Sequence, residues 1–149
     1  MKRLYLIYLL FFTSCTASYY FYDAVENERK GQMQEAERLY MKSCNMGEPA
    51  ACNNLGVINI KRGDKGSALD LYRRACNYNT NPIGCQNLAG MYKDYRMGNY
   101  NEAMSAANFA CKNNMEIACN IVSTMRARQS KFINDALKGA VEYNKINNQ

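Results

Sequence analysis

Six of the seven cysteines fall into three evenly spaced pairs, and any fold for this chain has to bring each pair together. Cys44 with Cys52, Cys76 with Cys85, and Cys111 with Cys119 lie eight or nine residues apart, and the pairs recur every 32 to 35 residues. A pair repeated at that period reads as one staple per structural unit. Zinc is the competing use, but structural zinc sites favour closely spaced cysteines and are often completed by histidine. The chain has no histidine and no C-x-x-C. The pairs are therefore read as three disulfides, and no metal or other cofactor is expected. A redox-active role is disfavoured for the same reason, because catalytic dithiols use the short C-x-x-C spacing. Disulfides persist in oxidising compartments and are rare in the cytosol, so the chain is expected outside the cytoplasm.

The seventh cysteine, Cys15, ends an apolar N-terminal stretch. Lys2 and Arg3 precede a nine-residue apolar run, Leu4 to Phe12, and Thr13-Ser14 leads into Cys15. Crossing a membrane takes about 20 apolar residues, so this run is too short to span and fits a secretory signal. Phe12-Thr13-Ser14-Cys15 resembles a bacterial lipobox, with Phe12 and Ser14 standing where Leu and Gly or Ala are usual. The reading is a signal peptide over residues 1–14, a linker over 15–17 lipidated at Cys15, and a repeat domain over 18–146. The lipid would attach the chain to a membrane, and secretion without an anchor is the alternative.

Charge narrows the partner classes. Of 19 basic residues Lys2 and Arg3 belong to the leader, leaving 17 against 13 acidic residues, scattered rather than clustered. A nucleic-acid groove needs cations concentrated on one face with interleaved aromatics. No nucleic acid is expected as a partner.

Alignment on the cysteines exposes a repeat. One copy runs Ala51-Cys52-Asn53-Asn54-Leu55-Gly56, Lys61-Arg62-Gly63-Asp64, Ala68, Tyr72 and Ala75-Cys76. The next runs Gly84-Cys85-Gln86-Asn87-Leu88-Ala89, Tyr92, Gly98-Asn99-Tyr100, Ala103, Ala107 and Ala110-Cys111. Ala68, Tyr72 and Ala75 fall four and three apart, on one face of a helix. Glycine-bearing segments separate paired helices, and Pro49 and Pro82 suit a first helical turn. The predicted architecture is all-α, an α-solenoid of about four antiparallel helix pairs. First helices are expected over 18–30, 49–61, 82–95 and 116–127, and second helices over 33–45, 65–78, 100–113 and 131–145.

On these residues the chain is similar to the Helicobacter cysteine-rich proteins, built of Sel-one-like repeats related to the tetratricopeptide repeat. The similarity rests on three Ala/Ser-Cys…Cys-Asn/Gln units, two of them followed by Asn-Leu-Gly/Ala, and covers about residues 18 to 145. It implies a secreted or periplasmic helical superhelix that binds other molecules on a concave surface. Some members are described as penicillin-binding proteins with weak β-lactamase activity, which makes β-lactam hydrolysis the alternative function.

The residues themselves carry no catalytic pattern, and no catalytic residue is assigned. A serine β-lactamase needs S-x-x-K, and Ser14, Ser18, Ser43, Ser67, Ser105, Ser123 and Ser130 all lack a lysine three positions on. Glu35 with Glu37, and Asp64 with Asp70, are the acidic candidates, and a solvated helix face or turn accounts for both. Binding has more support. The residue after the repeat cysteine is an amide in each copy, Asn53, Gln86 and Asn120, and about two turns on lie Lys61, Lys93 and Arg128. Stacked units would set these as ladders able to hold an extended peptide or an acidic segment. The expected partner is a periplasmic protein, a peptide or a cell-wall component.

Overall fold

The structure is a computed structural model that describes the backbone of residues 2–77 and 80–147 and the side chains of residues 16–77 and 80–143. Cys15 and the side chains of the leader lie outside the described set. Seven helices and no strand are found among the described residues: α1 (Lys2–Arg29), α2 (Met33–Asn45), α3 (Pro49–Arg62), α4 (Lys65–Cys76), α5 (Pro82–Tyr95), α6 (Tyr100–Lys112) and α7 (Glu116–Asn147). Neighbours pack as hairpins, α1 with α2, α3 with α4 and α5 with α6, and each hairpin packs on the next. The first helices also touch directly, α3 on α5 and α5 on α7, so they form one side of an all-α, solenoid-like stack.

Local chemistry explains where these helices begin and end. Asp64 accepts a hydrogen bond from the Ser67 N–H at 3.0 Å and starts α4. Asn81 does the same for Gly84 at 2.8 Å, just before Pro82, and Asn99 caps α6 through the Asn101 N–H at 2.8 Å. Each satisfies a donor that the first helical turn leaves open. Gly63 ends α3 with φ of 85°, a left-handed conformation that glycine adopts without a Cβ clash.

Two expectations need correction. The first helix, expected from residue 18, extends back to Lys2. The fourth hairpin is absent: instead of separate helices over 116–127 and 131–145, α7 runs unbroken from Glu116 to Asn147. The physical reason lies in Arg128-Gln129-Ser130-Lys131, which has no glycine for a left-handed cap and no proline, so nothing ends the first helix at the point where Ser130 could cap a second. The repeat period calls for a turn there and the local residues do not supply one.

The three disulfides join consecutive hairpins. Cys44–Cys52 links the end of α2 to the start of α3, Cys76–Cys85 links α4 to α5, and Cys111–Cys119 links α6 to α7, with Cα atoms 4.7, 4.5 and 4.7 Å apart. Three such bonds indicate an oxidising, extracytoplasmic setting. Among the described residues no helix is long and apolar enough to cross a membrane.

Small residues let the helices approach closely. A Cβ built on Gly56 would stand 2.6 Å from the Tyr72 ring, and one on Gly84 would stand 2.6 Å from the Ala75 Cβ. The buried core runs the length of the stack, from Ala24, Tyr40 and Leu55 through Tyr72, Cys85 and Leu88 to Ala107, Val122 and Met125. Between the first two helices, Ser43 Oγ donates to the Ala17 carbonyl at 2.7 Å, and the Tyr40 hydroxyl donates to Glu28 Oε2 at 2.6 Å.

Candidate binding face and end cleft

The six residues expected to form ladders on the first helices have different surroundings. Asn53 is buried, accepts from Asn87 Nδ2 at 2.8 Å, and donates to Asn54 Oδ1 at 3.4 Å. It therefore joins α3 to α5 instead of facing solvent. Gln86 is half-buried, and its Oε1 has no hydrogen-bond partner among the described residues. Asn120 is exposed on α7, and its carbonyl accepts from Ser123 Oγ and Thr124 Oγ1.

The cations also divide. Lys61 and Arg128 sit nine residues after their repeat cysteines and are exposed. Lys93 sits eight after its own, about 100° further round the helix, and is paired with Asp94 at 3.1 Å. Even so, the stack brings two of the six together: Arg128 Nη1 lies 3.5 Å from the Lys93 carbonyl oxygen.

Arg128 also lines a cleft of about 310 Å³, together with Tyr92, Arg96, Tyr100, Met125, Gln129 and Phe132. Its walls come from the end of α5, the start of α6 and the middle of α7. The Tyr92 and Tyr100 rings meet edge to face, 5.7 Å between centroids, and Arg96 lies over the Tyr92 ring at 5.7 Å. The Tyr100 hydroxyl donates to Gln129 Oε1 at 2.7 Å, tying α6 to α7. Phe132 closes one side and is 75% exposed. No carboxylate lines the cleft, and among the described residues neither Arg96 nor Arg128 pairs with one.

Arg96 carries a further mark. It sits eleven residues after its repeat cysteine, the position Gly63 holds in the preceding unit. Like Gly63 it adopts a left-handed conformation, with φ of 58°. A side chain there costs about 1–2 kcal/mol where glycine costs little. Strain of this kind concentrates where a side chain is needed in one location, and here it sets a guanidinium at the cleft mouth.

The acidic candidates are accounted for by structure. Glu35 pairs with Arg38 and Glu37 with Arg62, while Asp64 caps α4 and Asp70 pairs with Arg73 at 3.1 Å. Hydrogen bonding by Arg38 holds the Glu35 carboxyl below its ordinary range, and bonding by Ser67 does so for Asp64. Both are thereby kept ionised, the wrong direction for a general acid. Among the described residues no group of three His, Cys, Asp or Glu is gathered closely enough to hold a metal.

Of the cleft residues, sequence reasoning reached Arg128 as a ligand contact, and Tyr92 and Tyr100 only as positions of the repeat. It missed Arg96, Met125, Gln129 and Phe132; Gln129 fell in residues 128–130, assigned to a turn that does not form, and Phe132 in a separate second helix beyond that turn. The missing glycine at Ser130 was the available signal. Comparison with protein-family models and with curated proteins finds no match for this chain.

Proposed function

We propose that the chain is a non-catalytic binding module whose end cleft takes an acidic, apolar-bearing segment of another extracytoplasmic protein or peptide. The observation that carries this reading is the pair of guanidiniums, Arg96 and Arg128, on an aromatic wall with no carboxylate to neutralise them. Guanidinium binds carboxylate through directed, charge-assisted hydrogen bonds, and the exposed Phe132 ring beside the half-buried Tyr92 offers apolar contact to the neighbouring side chain.

Fluorescently labelled peptides alternating Glu with Phe are the probe, beside counterparts with Gln or Lys in place of Glu. The Glu peptide is expected to bind best and to weaken as salt rises. Arg128→Ala is expected to cost about tenfold or more in affinity. Arg96→Gly relieves the left-handed residue, so it is expected to lose affinity similarly while the thermal midpoint holds or rises. Equal binding of all three peptides, or no effect of either substitution, overturns the reading.

The chain is held at a membrane in the periplasm through acylation of Cys15, after removal of residues 1–14. Support comes from the lipobox-like Phe12-Thr13-Ser14-Cys15 and from Tyr19 and Tyr22, which follow it at 66% and 70% exposure. Tyrosine favours the headgroup zone, where a ring is half in water. A fatty-acid probe fed to expressing cells is expected to label the wild type and not Cys15→Ala. Equal labelling of the two removes the anchor.

A further inference from the structure

The second half of α7 runs on past the stack. α5 ends at Tyr95 and α6 begins at Tyr100, while α7 continues beyond the cleft from Gln129 to Asn147, about 27 Å at 1.5 Å per residue. In its first half the buried face of α7 carries Ala118, Val122 and Met125. Steps of three and four residues carry that face on through Gln129, Phe132, Ala136 and Ala140, all of them exposed. At 3.6 residues per turn these seven positions fall within an arc of about 80°. The exposed Ile133 borders the arc. The charged residues Lys131, Asp135, Lys138 and Glu142 lie about 100° or more from its centre. One face of α7 is therefore packed along its first half and bare along its second.

We infer that this bare stripe seats an amphipathic helix of the partner, antiparallel to α7, with its C-terminal end at Arg96 and Arg128. The inference rests on the binding reading of the cleft and adds the form and direction of what binds there. The stripe continues the face by which α7 already packs against α5 and α6, so a helix laid along it extends an existing interface. Ala136 and Ala140 at its centre let another helix come close, as Gly56 does for the helix that carries Tyr72. Charge sets the direction. A helix C-terminus carries about half a negative charge and four carbonyls without intrahelical donors. The cleft at the foot of the stripe holds two guanidiniums and no carboxylate, so it supplies both the opposite charge and the donors. Acidic side chains in the last turn of the partner helix add charge-assisted bonds. The reverse direction would bring a positive helix N-terminus against the same two cations.

The test uses two fifteen-residue peptides, blocked at both ends, with the same face of Leu and Ala at helical spacing. One carries two Glu in its last turn and the other carries them in its first. Binding to the oxidised full chain is read by fluorescence anisotropy. The peptide with Glu in its last turn is expected to bind about tenfold tighter or better, and to gain helical circular dichroism when bound. Ala136→Glu with Ala140→Glu puts two carboxylates on the stripe and outside the cleft. Both sites are exposed, so the melting midpoint is expected to hold. The double variant is expected to weaken that peptide more than about tenfold, and to bind the short Glu and Phe peptides as the wild type does. Equal affinity for the two long peptides overturns the direction. Binding unchanged by the double variant overturns the stripe and leaves the cleft reading intact, whereas failure of the wild type to select the short Glu peptide removes the cleft reading itself. A mass of two chains without peptide, returned to one chain by the double variant, means that a second copy holds the stripe and also overturns the inference.

Discussion

Reducing the three disulfides is expected to unfold the stack or to lower its thermal midpoint by tens of degrees. Each bond closes a loop of only eight or nine residues. The loop-closure relation then gives about 2.5 kcal/mol per bond and about 7 kcal/mol for the three. Domains of this size hold roughly 5–15 kcal/mol in total, so the staples are a large fraction of stability. Their placement adds to the effect. Each bond sits between hairpins, at the point where a stacked array would otherwise open unit by unit. Circular dichroism melts with and without strong reductant check this directly. Paired Cys→Ser changes at Cys76 and Cys85 are expected to cost more than those at Cys111 and Cys119, because a break in the middle separates the stack. Melts that coincide with and without reductant overturn the account.

Replacing Tyr40 with alanine is expected to cost about 3–5 kcal/mol, the range for deleting a large buried aromatic. Tyr40 has no exposed surface and packs beside Phe21, with ring centroids 6.0 Å apart. Its hydroxyl bond to Glu28 joins α1 to α2. Tyr40→Phe keeps the packing and loses that bond, for about 1 kcal/mol. The two variants therefore separate shape from hydrogen bonding.

Alkaline pH provides a second reading of the same residue. Burial first, and then the hydrogen bond to Glu28, push the phenol up to about 12 from an ordinary value of 10.0. Below pH 10 both folded and unfolded chains keep the proton and stability is at its full value. Between about 10 and 12 the unfolded chain releases it and the folded chain does not, so stability falls as pH rises through that window. Burial raises Tyr72 in the same direction. Denaturant midpoints for the wild type are expected to drop across this range, and those for Tyr40→Phe to drop less. Parallel slopes for the two would refute the assignment.

The hairpins were legible because their signals are local. Pro49, Pro82, Asp64, Asn99 and Gly63 each satisfy or remove a backbone group within a few residues, so helices α2 to α6 fall close to their expected bounds. The cysteine pairs were legible for a related reason: a short loop has few ways to close. The end of the stack was misread because two local rules conflict there. The repeat period demanded a turn at 128–130, and those positions hold no glycine or proline to end the helix. Asn53 was assigned to a ligand-facing ladder because its register recurs, while its burial against Asn87 depends on how closely α3 and α5 stack.

From residue order alone came the all-helical class, the unit length, the three sulfur pairings and the compartment that permits them. Each of these depends on neighbours within about ten residues or on a simple period. The three-dimensional stack alone decided that Arg96 and Arg128, far apart along the chain, share one cleft with Phe132, and that the second half of α7 stands uncovered. Those outcomes depend on the angle and distance at which one hairpin meets the next. Such angles follow from the summed packing of many side chains, such as the approach of Gly56 to Tyr72 and of Gly84 to Ala75, and no single residue records them.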